Sequence, residues 1–70
     1  MLMQLMDRLT PRQREVSVLI AKGLTNTQIA QRLVLTPGTV ANHVEAILRR
    51  LELDSRTKIA ALIAELGLHR

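Results

Sequence analysis

Three threonines punctuate this chain and fix how it must begin its helices. Thr10 is followed by Pro11 and Gln13, Thr25 by Gln28, and Thr36 by Pro37. A threonine ahead of an apolar run, with glutamine three residues later, is a capping box. The hydroxyl accepts from a first-turn amide, and the glutamine side chain accepts from the cap's own N–H. Proline suits the first helical position because the N–H it lacks would have no intrahelical partner there. Thr10, Thr25 and Thr36 therefore each start a helix independently of the others. Ser55 supplies a fourth start, and Gly67 a stop. The expected fold is all-α: a four-helix bundle with helices at about 10–22, 26–33, 37–50 and 56–66.

Apolar residues at three- and four-residue spacing supply the core. They are Val16, Leu19 and Ile20 in the first helix, then Ile29, Ala30 and Leu33 in the second. Gly23 can take the left-handed conformation that ends the first helix, with Lys22 in its last turn. Leu24 is placed to staple to Ile29, and Leu35 to Val40. The small Ala30 lets the second helix cross the third closely. Val34 and Leu35 leave room only for a sharp turn. Arg12, Gln13 and Arg14 are expected in solvent, and Glu15 in an ion pair that orients helices.

The third helix, TPGTVANHVEAILRRL, is the most informative stretch. Val40, Val44, Ile47, Leu48 and Leu51 form one stripe; Gly38, Asn42, Glu45 and Arg49 form the opposite one. The second stripe is polar and must face something wet. Gly38 costs about 1 kcal/mol of helix propensity relative to Ala. Either it lets the helix end approach a sugar-phosphate backbone, or it is simply tolerated in the first turn. His43 lies between the stripes and reads as a half-buried, hydrogen-bonded side chain. In the fourth helix Ile59, Leu62, Ile63 and Leu66 make a buried face. Ala60, Ala61 and Ala64 leave much of the remainder apolar, a candidate homodimer contact.

The 70 residues make one domain, 9–68, and residues 1–8 read as a linker, an added remnant or an extension of the first helix. Ten Lys and Arg against six Asp and Glu give a net charge of +4, which favours a polyanionic partner. With no aromatic residue, the chain has no platform on which single-stranded bases stack. With no cysteine, it has neither disulfides nor thiolate metal ligands, and His43 and His69 alone make no metal site. No apolar run approaches the roughly 18 residues of a membrane span, and MLMQLM lacks the basic leader of a secretion signal. No nucleophile–base pair or phosphate loop can be assembled, so an enzyme is not expected. Neither a cofactor nor a small-molecule ligand is expected.

A short helix, a tight turn and a second amphipathic helix in a basic chain make the layout of a helix-turn-helix, whose second helix enters the major groove of DNA. The residues then resemble a known family. Leu9-Thr10-Pro11-Arg12 with Glu15-Val16, Gly23-Leu24-Thr25-Asn26 with Ile29-Ala30, and Thr39-Val40 are followed by Asn42-His43-Val44, Ile47-Leu48 with Leu51, and Ser55-Arg56-Thr57. In combination these closely resemble the LuxR-type, or GerE-type, helix-turn-helix domain of bacterial transcription regulators. The resemblance runs from Leu9 to about Leu66. It implies a four-helix bundle with the third helix in the major groove and the fourth as dimer contact, in the bacterial cytoplasm. Double-stranded DNA and a second copy are the implied partners, with RNA polymerase a further candidate. Many members carry lysine where this chain has Ala41, and a neutral or basic residue where it has Glu45. The run Ala41-Asn42-His43-Val44-Glu45 looks more like the domains at the C-terminus of very large ATPase-type regulators than those of response regulators.

DNA contacts divide into positioning and reading. Thr25, Asn26, Thr36, Thr39, Arg49 and Arg50 are the candidates for phosphate, since helix starts offer free amides and a positive dipole. Asn42 matches adenine, Glu45 can accept from cytosine N4, and Ala41 can touch a thymine methyl. Glu45 also stands four residues before Arg49, the favourable order for an ion pair that would only hold Arg49 in place. Two rival readings remain: a promoter-binding module like region 4 of a sigma factor, and a helix-turn-helix that docks protein. The apolar fourth helix counts against the first of these and the net charge against the second.

Overall fold

The computed structural model describes residues 5–67. Four helices follow in order: α1 Pro11–Ala21, α2 Asn26–Leu33, α3 Pro37–Leu51 and α4 Arg56–Leu66. No strand occurs among the described residues, and no helix there is long and apolar enough to cross a membrane. The caps sit where the threonines put them. Thr10 Oγ1 accepts from the Gln13 amide at 3.1 Å, and Gln13 Oε1 accepts from the Thr10 amide at 3.0 Å. Thr25 and Gln28 repeat the arrangement at 3.2 and 2.9 Å. Thr36 and Ser55 cap α3 and α4 through the amides of Thr39 and Lys58.

The helix ends follow a different rule. After α1 and α4 the left-handed residue is glycine, Gly23 at φ 88° and Gly67 at φ 71°. After α2 and α3 it is Val34 at φ 58° and Glu52 at φ 56°. Both ends close with the same hydrogen bond: Leu35 N–H donates to the Ala30 carbonyl at 2.8 Å, and Leu53 N–H to that of Leu48 at 2.9 Å. Leu35 and Leu53 then pack on the core. Anchoring the leucine forces its predecessor into the left-handed region, glycine or not.

The core gathers Val16, Leu19 and Ile20 from α1, Ile29 and Ala30 from α2, Val40, Val44, Ile47 and Leu51 from α3, and Ile59 and Ile63 from α4. Helix α1 is the hub and packs against the other three, while α2 and α4 pack little on each other. Residues 5 and 6 are helical, but a turn at 7–9 separates them from α1, and Met6 and Leu9 are buried in the core. Residues 1–4 and 68–70 lie outside the described residues, so His69 and the start of the MLMQLM segment are not described.

Two expectations on α1 need correcting. Gln13 is buried, only 7% exposed, because closing the capping box folds its side chain back onto the helix start. Its carbonyl also accepts from the Ser17 hydroxyl at 2.9 Å. Arg12 and Arg14 are exposed as expected. Glu15 does pair, but with Arg12 one turn earlier at 3.6 Å, so the pair orients no helix against another.

Candidate nucleic-acid interface

Helix α3 is held by one face and presents the other. Val40 and Ile47 are fully buried and Leu51 nearly so, which fixes the rotation of the helix about its axis. Gly38, Asn42, Glu45 and Arg49 are all exposed as a consequence, and Ala41 and His43 are half-buried at the margins. His43 makes no side-chain hydrogen bond among the described residues, so only the half-burial expected of it is found. A Cβ built on Gly38 meets nothing nearer than the Thr36 hydroxyl at 4.0 Å. Packing within the chain therefore gives no reason for a glycine there.

The start of α3 is a small donor cluster. Thr36 Oγ1 accepts from the Thr39 amide at 3.1 Å, and the two threonine hydroxyls lie 2.9 Å apart. One hydroxyl proton is used within that pair and the other is free for an outside acceptor. The first-turn amide of Gly38 has no intrahelical partner. Glu45 and Arg49 form no ion pair, so on α3 both charges face outward separately.

Arg49 and Arg50 diverge. Arg49 projects from the exposed stripe. Arg50 turns to the N-terminal segment, where its Nη1 donates to the Arg8 carbonyl at 3.2 Å and Arg8 Nη1 donates to the Arg50 carbonyl at 3.5 Å. At the start of α2, Thr25 is exposed and Asn26 half-buried. The side-chain oxygen of Asn26 accepts from Arg56 Nη1, and Arg56 Nη2 donates to the Leu24 carbonyl at 2.6 Å. Nothing in local spacing announces this contact; the only signal was the Ser55-Arg56-Thr57 motif. Beside the same helix start runs a polar groove lined by Lys22, Gly23, Leu24, Gln28, Gln31 and Arg32, which adds two cations to this end of the molecule. On α4, Ala61 and Ala64 are exposed and Ala60 is half-buried, while Ile59 and Ile63 are fully buried against the bundle.

Residues 7–63 match the family described as bacterial regulatory proteins, luxR family. Among curated proteins the chain is 44% identical over 57 residues to the nitrate/nitrite response regulator protein NarL of Escherichia coli strain K12, covering 81% of this chain and 26% of that one. It is 42% identical over 60 residues to the two-component response regulator PprB of Pseudomonas aeruginosa, covering 86% and 22%. It is 41% identical over 58 residues to the DNA-binding transcriptional activator DevR/DosR of Mycobacterium tuberculosis, covering 83% and 27%. The chain thus spans about a quarter of the length of these relatives. Two of the three are named as response regulators, whereas the run from Ala41 to Glu45 had pointed toward large ATPase-type regulators. Fold, caps and sequence similarity agree: the chain belongs to the luxR family of bacterial regulatory proteins and is its LuxR-type helix-turn-helix DNA-binding domain.

Proposed function

We propose that this domain binds double-stranded DNA with sequence preference, as the output domain of a bacterial transcription regulator in the cytoplasm. Helix α3 lies in the major groove. A second copy joins through α4 at Ala60, Ala61 and Ala64, so that two half-sites about one DNA turn apart are read together. The observation that carries this reading is the exposed stripe Gly38, Asn42, Glu45 and Arg49, fixed outward by the buried stripe behind it. Asn42 reads adenine, Glu45 accepts from cytosine, and Ala41 at the margin touches a thymine methyl. Thr36 and Thr39 at the start of α3, Thr25 and Asn26 at the start of α2, and Arg49 hold phosphate. Arg50 spends an Nη1 donor on the Arg8 carbonyl and offers its remaining donors to phosphate. The unpaired Glu45 favours base reading over the alternative in which it merely steadies Arg49.

Fluorescence anisotropy on a selected site and on a randomised duplex, at two salt concentrations, tests the reading. Each cation that neutralises a phosphate steepens the log–log salt dependence by about 0.9. Asn42→Ala is expected to lose about 1–3 kcal/mol of discrimination at one position, and Arg49→Ala to weaken both duplexes alike. Equal affinity for both duplexes in the wild type would defeat the sequence-reading assignment. Absence of binding at low salt would favour a protein-docking helix-turn-helix instead.

A further inference from the structure

We propose that Arg56 is a positioning residue for DNA binding: it holds the Asn26 side chain with its amide N–H groups turned outward, toward the phosphate that approaches the start of α2. The proposal rests on the reading above, in which that helix start contacts the DNA backbone.

Arg56 is the first residue of α4, and Asn26 the first of α2. The two helices pack little on each other, and the Arg56 side chain bridges their starts. One arm of the guanidinium donates to Asn26 Oδ1 and the other to the Leu24 carbonyl, on the far side of the Thr25 cap. Arginine has donors only. Asparagine can turn either its oxygen or its nitrogen toward a neighbour, and the rotation between them is soft. A donor-only partner removes that choice: the oxygen must face Arg56, and the two N–H groups must face away. Without the clamp, Asn26 is free to turn its oxygen toward a phosphate, which repels it. With the clamp, the amide presents donors beside the free first-turn amides of α2.

Two features fit this role. The fork is planar, and its two arms fix both the Asn26 side chain and the backbone ahead of the cap, which a lysine ammonium does not do. Arg56 also pairs with no carboxylate among the described residues, so its charge stays unneutralised at the positive end of α2.

The test measures duplex affinity by anisotropy for wild type, Arg56→Lys, Asn26→Ala, their combination and Asn26→Asp, with thermal melts to set a temperature at which all are folded. Asn26→Ala and Arg56→Lys should each weaken binding about tenfold, as for loss of one hydrogen bond to a charged group. The combination should be no weaker than either alone, because both act through one contact. Arg56→Lys keeps the charge and should leave the salt slope unchanged. Asn26→Asp keeps an oxygen for Arg56, and so the clamp, but loses the donors; it should bind at least about tenfold more weakly. Full affinity in Asn26→Asp, or in a folded Arg56→Lys, overturns the proposal. So does a double variant whose losses multiply to about a hundredfold, which would mean independent roles. If the wild type binds but Asn26→Ala binds as well as it does, the α2 contact itself is wrong, and the proposal falls with it. If the wild type binds no duplex at low salt, the DNA-binding reading fails first.

Discussion

Val34 gives the clearest test of how this fold is held. It sits between α2 and α3 at φ 58°, ψ 50°, and is 89% exposed. Left-handed backbone costs an L-residue roughly 1–2 kcal/mol, and a branched Cβ suits it worse than most. Little opposes removing the side chain, since it buries almost nothing. Val34→Gly relieves the strain but widens the unfolded ensemble, which takes away about 0.4–1 kcal/mol of the gain. A net stabilisation of about 0.5–1 kcal/mol is expected, or roughly 2–8 °C in Tm for a domain of this size. Asn tolerates this conformation and loosens the unfolded chain less, so Val34→Asn should gain at least as much. Val34→Ala keeps a Cβ and should gain less than either. The assay is thermal melting by circular dichroism, with helicity at low temperature as control. The Leu35 amide bond to Ala30, which dictates the geometry, is untouched by all three changes. If Gly and Asn both melt at or below wild type with full helicity, Val34 is not strained and the account of this helix end is wrong.

Gln13→Ala removes a buried acceptor of the Thr10 amide and should destabilise by about 1 kcal/mol, seen as a Tm lower by roughly 4–8 °C. Ile47 on α3 is fully buried in the core; Ile47→Ala should lose about 2–5 kcal/mol, most of the stability of so small a domain, and urea titration would read it as a collapse of the midpoint. Ala64 is exposed, so Ala64→Arg should leave the unfolding free energy from urea titration within about 0.5 kcal/mol of wild type, yet prevent the second copy from assembling on DNA in sedimentation velocity. The Asp54 carboxyl lies below its usual value of 3.8 because it accepts a hydrogen bond from Lys58, 2.7 Å away, and feels its charge. A lowered folded-state value means the pair's stabilisation is fully present above the usual value and is lost as pH falls through the folded one. The melting difference between wild type and Asp54→Asn should therefore shrink as pH falls below the usual carboxyl value; a constant difference would assign it to something other than the carboxylate.

What was readable in the sequence is what can be settled within one turn of helix. Thr10 with Gln13, Thr25 with Gln28, Thr36 and Ser55 all find their partners three residues away, so composition at those positions dictates the helix starts whatever the rest of the chain does. The two stripes of α3 were equally readable, because period alone decides which residues share a face. The helix ends at Val34 and Glu52 carried no glycine to announce them. Their left-handed turns exist because Leu35 and Leu53 are pulled onto the core, and that pull exists only once the helices are packed. Glu15 settled on Arg12 one turn away in its own helix, whereas Arg50 met the Arg8 carbonyl, far away in sequence, only once the chain was packed. The contact of Arg56 with Asn26 and Leu24 joins residues some thirty positions apart on helices that barely touch. Local residues set where each helix begins and which way it faces. Only the docking of α1 against the other three decided which polar groups are left to meet a ligand.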